Sequence, residues 1–263
     1  MNTHRPRKRF GQHFLIDHGI IEAIVRAIAP TPTDHVVEIG PGQRALTDGL
    51  SQIAGRLSVI EIDRDLVGAL RSTYADKSHV TVIEADALSQ DFSAIGPQLR
   101  VVGNLPYNIS TPLLFHLLEH ENVIHDMHFM LQKEVVDRIA ANPCEKAYGR
   151  LSVMIGCSLT AEALFDVPPD AFNPPPKVQS AVVRLVPKPA NERLGQSPCF
   201  NELVKQAFSM RRKTLRNSLR DWLSAQDIES FGIDPTRRTE TLSVQEFDTL
   251  AQWVHNNKTD CAR

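Results

Sequence analysis

Residues 35–47 read HVVEIGPGQRALT. The first six form a short apolar run of strand type, and Ala45, Leu46, Leu50 and Ile53 follow it at helical spacing. Between the two, Gly40 and Gly42 let the backbone turn sharply and approach a ligand with no Cβ in the way. A strand, a glycine turn and a helix in this order open an α/β sheet whose ligand sits at the carboxyl edge. The loop also satisfies the G-x-G-x-x-G/A dinucleotide pattern through Ala45, with Glu61 about twenty residues on, so the loop alone leaves a dehydrogenase open. Arg44 continues the alternation of Gly40 and Gly42 with a long cation. Near a helix N-terminus a cation costs about 0.3–1 kcal/mol when exposed, which is tolerable if Arg44 points away from the ligand pocket.

The alternation continues outward. RLSVIEID (56–63), HVTVIEAD (79–86), LRVVGNLP (99–106) and DMHFML (126–131) are further strand candidates, and helical stretches near 64–75, 111–120 and 132–141 separate some of them. Alternating strand and helix predicts a mostly parallel sheet covered on both faces. Two later runs, near 158–167 and 178–186, are parted by PPDAFNPPPK, too proline-rich for helix, and are expected to pair as a hairpin-like edge of the same sheet. Residues 187–198 read as a linker. Beyond it Val204, Phe208, Leu215, Leu219 and Trp222 are spaced for helices, and a last helix is expected near 243–257. The predicted division is 1–187 and 188–263, the second part small and all-α.

Composition narrows the function classes. A chain of 263 residues with 42% apolar content suits one large α/β domain carrying a small appendage. Cys144, Cys157, Cys199 and Cys261 are scattered without a C-x-x-C pair, and the ten histidines show no H-E-x-x-H, so no metal is expected. The apolar stretch IIEAIVRAIA (20–29) carries Glu22 and Arg26, which argues against a signal peptide. No uninterrupted apolar run approaches the roughly 18 residues of a membrane helix. A cytoplasmic protein, monomeric as the simplest case, is the expectation.

The remaining strand ends decide between cofactors. Glu61 closes the second strand, where a carboxylate can accept both hydroxyls of a ribose, and Asp86 closes the third, where it can accept from an exocyclic adenine amine. Two acids at successive strand ends, after Glu38-x-Gly-x-Gly, favour an adenosyl ligand. The fourth strand ends in NLPY (104–107). Adenine N6 is a poor nucleophile because its lone pair is delocalised into the ring. A site that alkylates it should offer acceptors to the amine hydrogens, here the Asn104 carboxamide and the Leu105 carbonyl. Pro106 stiffens the turn, and Tyr107 offers an aromatic face for a flipped base. A sulfonium methyl is activated already, so neither metal nor strong base is needed.

With these motifs in place the chain resembles the adenine-N6 dimethyltransferases of small-subunit ribosomal RNA. The likeness covers nearly the whole length: RKRFGQHFL (7–15), VEIGPG (37–42), EID (61–63), NLPYNIS (104–110), LQKEV (131–135), YGRLSV (148–153), FNPPPKVQSAVVRL (172–185) and RRKTLRNSL (211–219). It implies a Rossmann-like class I methyltransferase fold, a mostly parallel seven-stranded sheet flanked by helices, with residues 1–15 as a basic arm and cofactor-capping loop. It implies S-adenosylmethionine as cofactor, contacted by His13, Leu15, Gly40, Gly42, Glu61, Ile62, Asp86, Ala87 and Asn104. Asn104, Leu105, Pro106 and Tyr107 would form the catalytic motif, with Tyr107 and Phe172 sandwiching the target adenine. The family usually carries Asn where His13 stands and a small residue where Arg44 stands. The implied substrate is a pair of adjacent adenines near the 3′ end of 16S rRNA, in the 30S subunit or its precursor, with a role in ribosome biogenesis. The sibling Erm class, acting on 23S rRNA, and a mainly non-catalytic assembly factor are the alternatives.

Net charge is only −2, but the basic residues are grouped. Arg5, Arg7, Lys8 and Arg9 form one acid-free stretch; Lys205, Arg211, Arg212, Lys213, Arg216 and Arg220 form another. In the second, Arg212, Arg216 and Arg220 recur at four-residue steps and are expected to share one face of a helix, while Leu215, Leu219 and Trp222 turn to a core. Arginine forks suit phosphate oxygens, so Arg5, Arg7, Lys8, Arg9, Arg211, Arg212, Lys213, Arg216 and Arg220 are read as RNA contacts.

Overall fold

The structure is a computed structural model that describes residues 13–210 and 213–258. In chain order it contains β1 (Phe14–Leu15), α1 (His18–Ile28), β2 (His35–Ile39), α2 (Thr47–Ile53), β3 (Arg56–Glu61), α3 (Arg64–Thr73), β4 (Val80–Glu84), β5 (Leu99–Asn104), α4 (Ser110–Glu119), β6 (Ile124–Gln132), α5 (Lys133–Ala140), α6 (Arg150–Ser158), β7 (Leu159–Val167), β8 (Phe172–Asn173), β9 (Ser180–Pro187), α7 (Phe200–Ser209), α8 (Leu215–Ser218), α9 (Ala225–Ser230) and α10 (Val244–Asn257). Among the described residues a seven-stranded sheet runs β4-β3-β2-β5-β6-β9-β7. Strands β2 to β6 pair in parallel, and β9 enters antiparallel to β6. The expected pairing of 158–167 with 178–186 at one edge is what β7 and β9 form.

The central strands are buried on both faces, which is why they read as near-continuous apolar runs instead of alternating ones. Val36, Val37, Val59, Val101 and Val102 are all fully enclosed. The charged exception on β5 is fully paired. Arg100 on β5 forks onto Asp126 on β6, with Nε–Oδ1 at 2.9 Å and Nη2–Oδ2 at 2.7 Å, and also reaches Asp34 at 2.9 Å. The same guanidinium donates to the Ile28 and Ala29 carbonyls at the end of α1. One planar cation therefore satisfies a helix C-terminus and two carboxylates, a task its fixed five-donor fork fits and a lysine ammonium does not. Asp126 first, and then Asp34, raise the Arg100 pKa above its ordinary value against the burial that lowers it.

A second apolar cluster gathers elements far apart in sequence. The chain divides into one compact unit holding residues up to Val136 together with Glu162–Pro187, and another holding Asp137–Ala161 with everything from Lys188 onward. This differs from the single cut after residue 187 expected from the sequence. Tyr148, Val153 and Cys157 are buried in the same cluster as Phe200, Leu203, Phe247 and Leu250, and the Tyr148 hydroxyl donates to the Leu242 carbonyl at 2.8 Å. Helix α6 is thus a core element of the second unit. The expected continuous basic helix over 211–220 is also corrected: α8 is a single turn, because Thr214 just before it pairs as a β-bridge with Arg238, and Leu215, Leu219 and Leu223 are all drawn inward. Lys213, Arg216 and Arg220 remain exposed, Arg220 beyond the end of the helix.

Two conformational stresses give testable consequences. His128 on β6 is 2% exposed, and its ring nitrogens make no well-formed hydrogen bond, the Ala27 backbone being the nearest polar partner. Burial holds its pKa down at about 4, with Asp126 and the Ala27 backbone opposing and Arg100 and Arg184 assisting. The unfolded chain takes up this proton near 6.5 and the folded one only near 4, so stability falls as pH drops across that window. Relative to wild type, His128→Leu is expected to gain roughly 1–3 kcal/mol between pH 7 and pH 4.5 in urea unfolding. A pH-independent difference would refute the assignment. Arg44 takes a left-handed φ of 71°, which costs a side-chain-bearing residue about 1–2 kcal/mol, against about 0.5–1 kcal/mol of extra chain entropy for glycine. Arg44→Gly should therefore hold or raise the thermal midpoint, despite losing the 3.2 Å bond from Nη1 to Thr73 Oγ1. A clear drop would show that this bond matters more than the strain.

Candidate active site

The carboxyl ends of β2, β3 and β5 open together into one cleft, bounded by the loops that follow them. Gly40 and Gly42 line it with φ of 66° and 53°, backbone conformations that side chains resist. A Cβ on Gly42 would stand 3.1 Å from the Phe14 ring, so the N-terminal strand closes over the glycine turn without a gap. Arg44 is absent from the lining while Gln43 and Ala45 are part of it, as the reading of a residue outside the pocket required. Its partner is the Thr73 hydroxyl, not a carboxylate.

Glu61 is the last residue of β3 and is 5% exposed. Its Oε1 accepts from the main-chain N–H groups of Ile62 and Asp63, both at 2.9 Å, and Asp63 then caps α3 by accepting from Asp65 N at 3.1 Å. Burial raises the Glu61 pKa, and the N–H groups of Asp63, Ile62 and Gly42 oppose that rise. Ile62 beside it is 48% exposed, an apolar wall facing the cleft. Strand β4 stops at Glu84, so Asp86 stands in the loop two residues beyond, its Oδ1 accepting from Leu88 N at 3.0 Å; Asp86 and Ala87 both line the cleft. Glu38 also lines it, 2% exposed, with Oε2 unpartnered, and burial pushes its carboxyl up to about 8. The sequence offered Glu38 only as part of a pattern.

At the end of β5 the geometry is tighter. Asn104 Nδ2 donates to the His13 carbonyl at 3.0 Å, which leaves Oδ1 as the acceptor of the carboxamide. The Leu105 N–H is taken by the Met130 carbonyl at 3.2 Å. Tyr107 is half-buried; its hydroxyl lies 2.7 Å from Ser180 Oγ, and its carbonyl accepts from Ser110 Oγ at 3.1 Å. The ring stacked on Tyr107 is His13, with centroids 5.7 Å apart and planes at 28°. His13 Nδ1 bonds the Pro174 carbonyl at 2.8 Å, so segments 161 residues apart meet on one imidazole.

Phe172 stands elsewhere. Pairing of Leu15 with Phe172 in the β1–β8 ribbon turns its ring into the core beside Leu15, Met130 and Val182; it is 3% exposed and absent from the cleft lining. The expected Tyr107–Phe172 sandwich is corrected on this point. His13, Leu15, Pro106 and the rest of the NLPY motif do line the cleft. Of the residues read as RNA contacts, Lys213, Arg216 and Arg220 are exposed, and Arg5, Arg7, Lys8, Arg9, Arg211 and Arg212 lie outside the described residues. The Ser180 hydroxyl was not found from sequence, where it is one serine inside an apolar strand; only pairing register brings it to Tyr107.

In chain order the sheet strands run third, second, first, fourth, fifth, seventh, sixth, with the seventh antiparallel. This differs from the six-stranded order of dinucleotide-binding dehydrogenases, the alternative the glycine loop had left open. Residues 3–256 match the sequence model of a family described as ribosomal RNA adenine dimethylase. The chain is 55% identical over 254 residues to the ribosomal RNA small subunit methyltransferase A of Acidovorax ebreus, covering 95% of this chain and 98% of that protein. It is 54% identical over 251 residues to the protein of the same description from Bordetella petrii, covering 95% of each. A crystal structure of a dimethyladenosine transferase from Plasmodium falciparum superposes with a TM-score of 0.78 at 26% identity, covering 93% of this chain and 98% of that one. A glycine turn, two strand-end acids and an NLPY motif thus converge on one cleft in a chain that belongs to the ribosomal RNA adenine dimethylase family.

Proposed function

We propose that this chain transfers methyl groups from S-adenosylmethionine to N6 of two adjacent adenines near the 3′ end of 16S rRNA, in the 30S subunit or its precursor. The observation that carries the reading is Asn104, held at the end of β5 by the His13 carbonyl so that its oxygen is the free acceptor of the carboxamide. The cleft suits the cofactor. Gly40 and Gly42 present bare backbone to an amino-acid moiety, Glu61 presents a fixed carboxylate to a ribose, and exposed Ile62 with Ala87 offers an apolar seat to an adenine beside Asp86. His13 and Leu15 cap it.

S-adenosylmethionine supplies a methyl group already activated by its sulfonium. The chain supplies orientation. Asn104 Oδ1 and the Leu105 carbonyl accept the N6 hydrogens and draw the nitrogen lone pair out of conjugation, and Pro106 fixes the turn that carries them. Tyr107 presents its ring to the flipped base. Nitrogen attacks the methyl carbon as the carbon–sulfur bond breaks, and the N6 proton then leaves to solvent. Two rounds on each base give the dimethyl product. Lys213, Arg216 and Arg220, with Arg5, Arg7, Lys8, Arg9, Arg211 and Arg212, bind phosphates, each contact contributing about 0.7–0.9 to the salt slope. The protein acts in the cytoplasm as a monomer that needs no metal, and its product marks a stage of small-subunit assembly.

Mass spectrometry of rRNA after incubation with labelled cofactor should show four added methyls on 16S rRNA in 30S particles and none on protein-free 23S RNA. Modification of the 23S RNA alone would place the chain with the Erm class. Asn104→Ala should lower kcat by roughly a hundredfold or more while calorimetric affinity for S-adenosylmethionine changes far less. An active Asn104→Ala variant would remove Asn104 from the mechanism. Arg44→Gly, by contrast, should keep that affinity within about tenfold, since Arg44 does not line the cleft.

A further inference from the structure

We infer that Ser180 is a positioning residue for base methylation, acting through Tyr107. The inference rests on the reading of Tyr107 as the stacking platform of the target adenine.

The topology explains why a residue so remote in sequence reaches the site. Parallel strands β5 and β6 run toward the cleft edge and end there, at Asn104 and Gln132. Strand β9 is antiparallel to β6, so it begins where they end, and its first residue, Ser180, sits opposite Gln132. Ser180 is fully buried, and the contact its hydroxyl makes is the 2.7 Å bond to the Tyr107 hydroxyl. The tyrosine is held twice, its main-chain carbonyl by Ser110 and its far end by Ser180. Ser110 is itself 2% exposed at the start of α4, so both anchors are rigid parts of the core.

The second anchor matters because of how a tyrosine moves. Rotation about its Cα–Cβ bond swings the whole ring, and the phenolic end travels furthest. The phenolic oxygen lies on the ring's own axis at that far end, so a hydrogen bond there fixes where the axis points. The position of that axis sets where a stacked adenine lies, and so the place of its N6 relative to Asn104. Small misplacements of a reacting group are costly, on the order of a hundredfold in rate for about 1 Å. In the structure the Tyr107 face is covered by His13 at 5.7 Å, so the ring must keep its place while that neighbour is exchanged for a base. Burial raises the Tyr107 pKa, so the phenol stays protonated and can share its hydrogen with Ser180 in either direction.

The test is a double-mutant cycle on the full chain: wild type, Ser180→Ala, Tyr107→Phe and the pair together, assayed in single turnover on 30S particles. Each single change removes one end of the same hydrogen bond and keeps the aromatic ring. Each should lower the methyl-transfer rate by roughly five- to fiftyfold, and the double variant should be no slower than the slower single within about twofold. Affinity for S-adenosylmethionine, read by calorimetry, and the thermal midpoint should stay close to wild type. Losses that multiply in the double variant would show that Ser180 acts independently of Tyr107, and a Ser180→Ala rate near wild type would show that the bond is dispensable; either overturns the inference. If Ser180→Ala does not fold, Ser180→Cys, nearly isosteric with a weak donor, takes its place in the cycle. Wild type that methylates a different RNA overturns the proposed substrate but not the inference, because the cycle is then run on that RNA; wild type that methylates none overturns both.

Discussion

The site depends on how closely two strands can lie at their ends. Gly103 on β5 sits so near β2 that a Cβ there would stand 2.6 Å from the Ile39 carbonyl, a distance no side chain tolerates. Because position 103 is glycine, β5 and β2 stay in parallel register up to Glu38 opposite Val102, and their following loops leave side by side. One loop carries Gly40 and Gly42, the other Asn104 to Tyr107. This contact between two backbones sets how far apart the two loops stand. The glycine in LRVVGNLP looks like a weak point of a strand, yet it is the place where the sheet brings the two halves of the cleft together.

Around that contact the chain closes the cleft with segments from both ends of the first unit. The β1–β8 ribbon brings Phe14 and Leu15 against Phe172 and Asn173, and the two hydrogen bonds of His13 then link Asn104 to the proline loop through one residue. Contacts spanning such long stretches of chain are entropically expensive to close, although the expense grows only slowly with loop length. They rest on the sheet beneath, where the Arg100 fork ties the end of α1 to β5 and β6. His13, next to the ribbon, is what holds the Asn104 carboxamide.

Much of this was legible in the sequence, and the exceptions share a cause. The parallel strands were readable because strands buried on both faces leave long β-branched runs, and HVVEIG, RLSVIEID and LRVVGNLP lie within a residue or two of β2, β3 and β5. The cleft positions were readable because strand ends are local features: Glu61, Asp86 and NLPY each stand at or just beyond one, and all line the cleft. What the sequence could not show is partnership across distance. Tyr148 and α6 join the second unit because their apolar faces match Phe200 and Phe247, information held by neither segment alone. Helix α8 is cut to one turn by a bridge to Arg238, which no four-residue periodicity announces. Phe172 was assigned to the base by the family resemblance, but pairing with Leu15 turns it into the core. Arg44 reads as a misfit only until its φ is known; the position calls for glycine geometry, and the arginine takes it at a modest cost.

The groups gathered at Asn104 carry no formal charge in the arrangement described: a carboxamide, main-chain carbonyls, a phenol and a serine hydroxyl. Their chemistry accounts for that. The nucleophile here is a neutral amine whose proton departs after the new bond forms, and the leaving group is a sulfonium that becomes a neutral thioether. A general base would have little to remove before transfer. Fixed dipoles instead act only when aimed well, since a hydrogen bond weakens steeply with angle where a charge would still attract. A site that relies on neutral dipoles therefore needs each one anchored from behind. The pattern found here has that form, with His13 behind Asn104 and Ser180 behind Tyr107. In the proposed mechanism, this anchoring of buried polar groups stands in for a charged base.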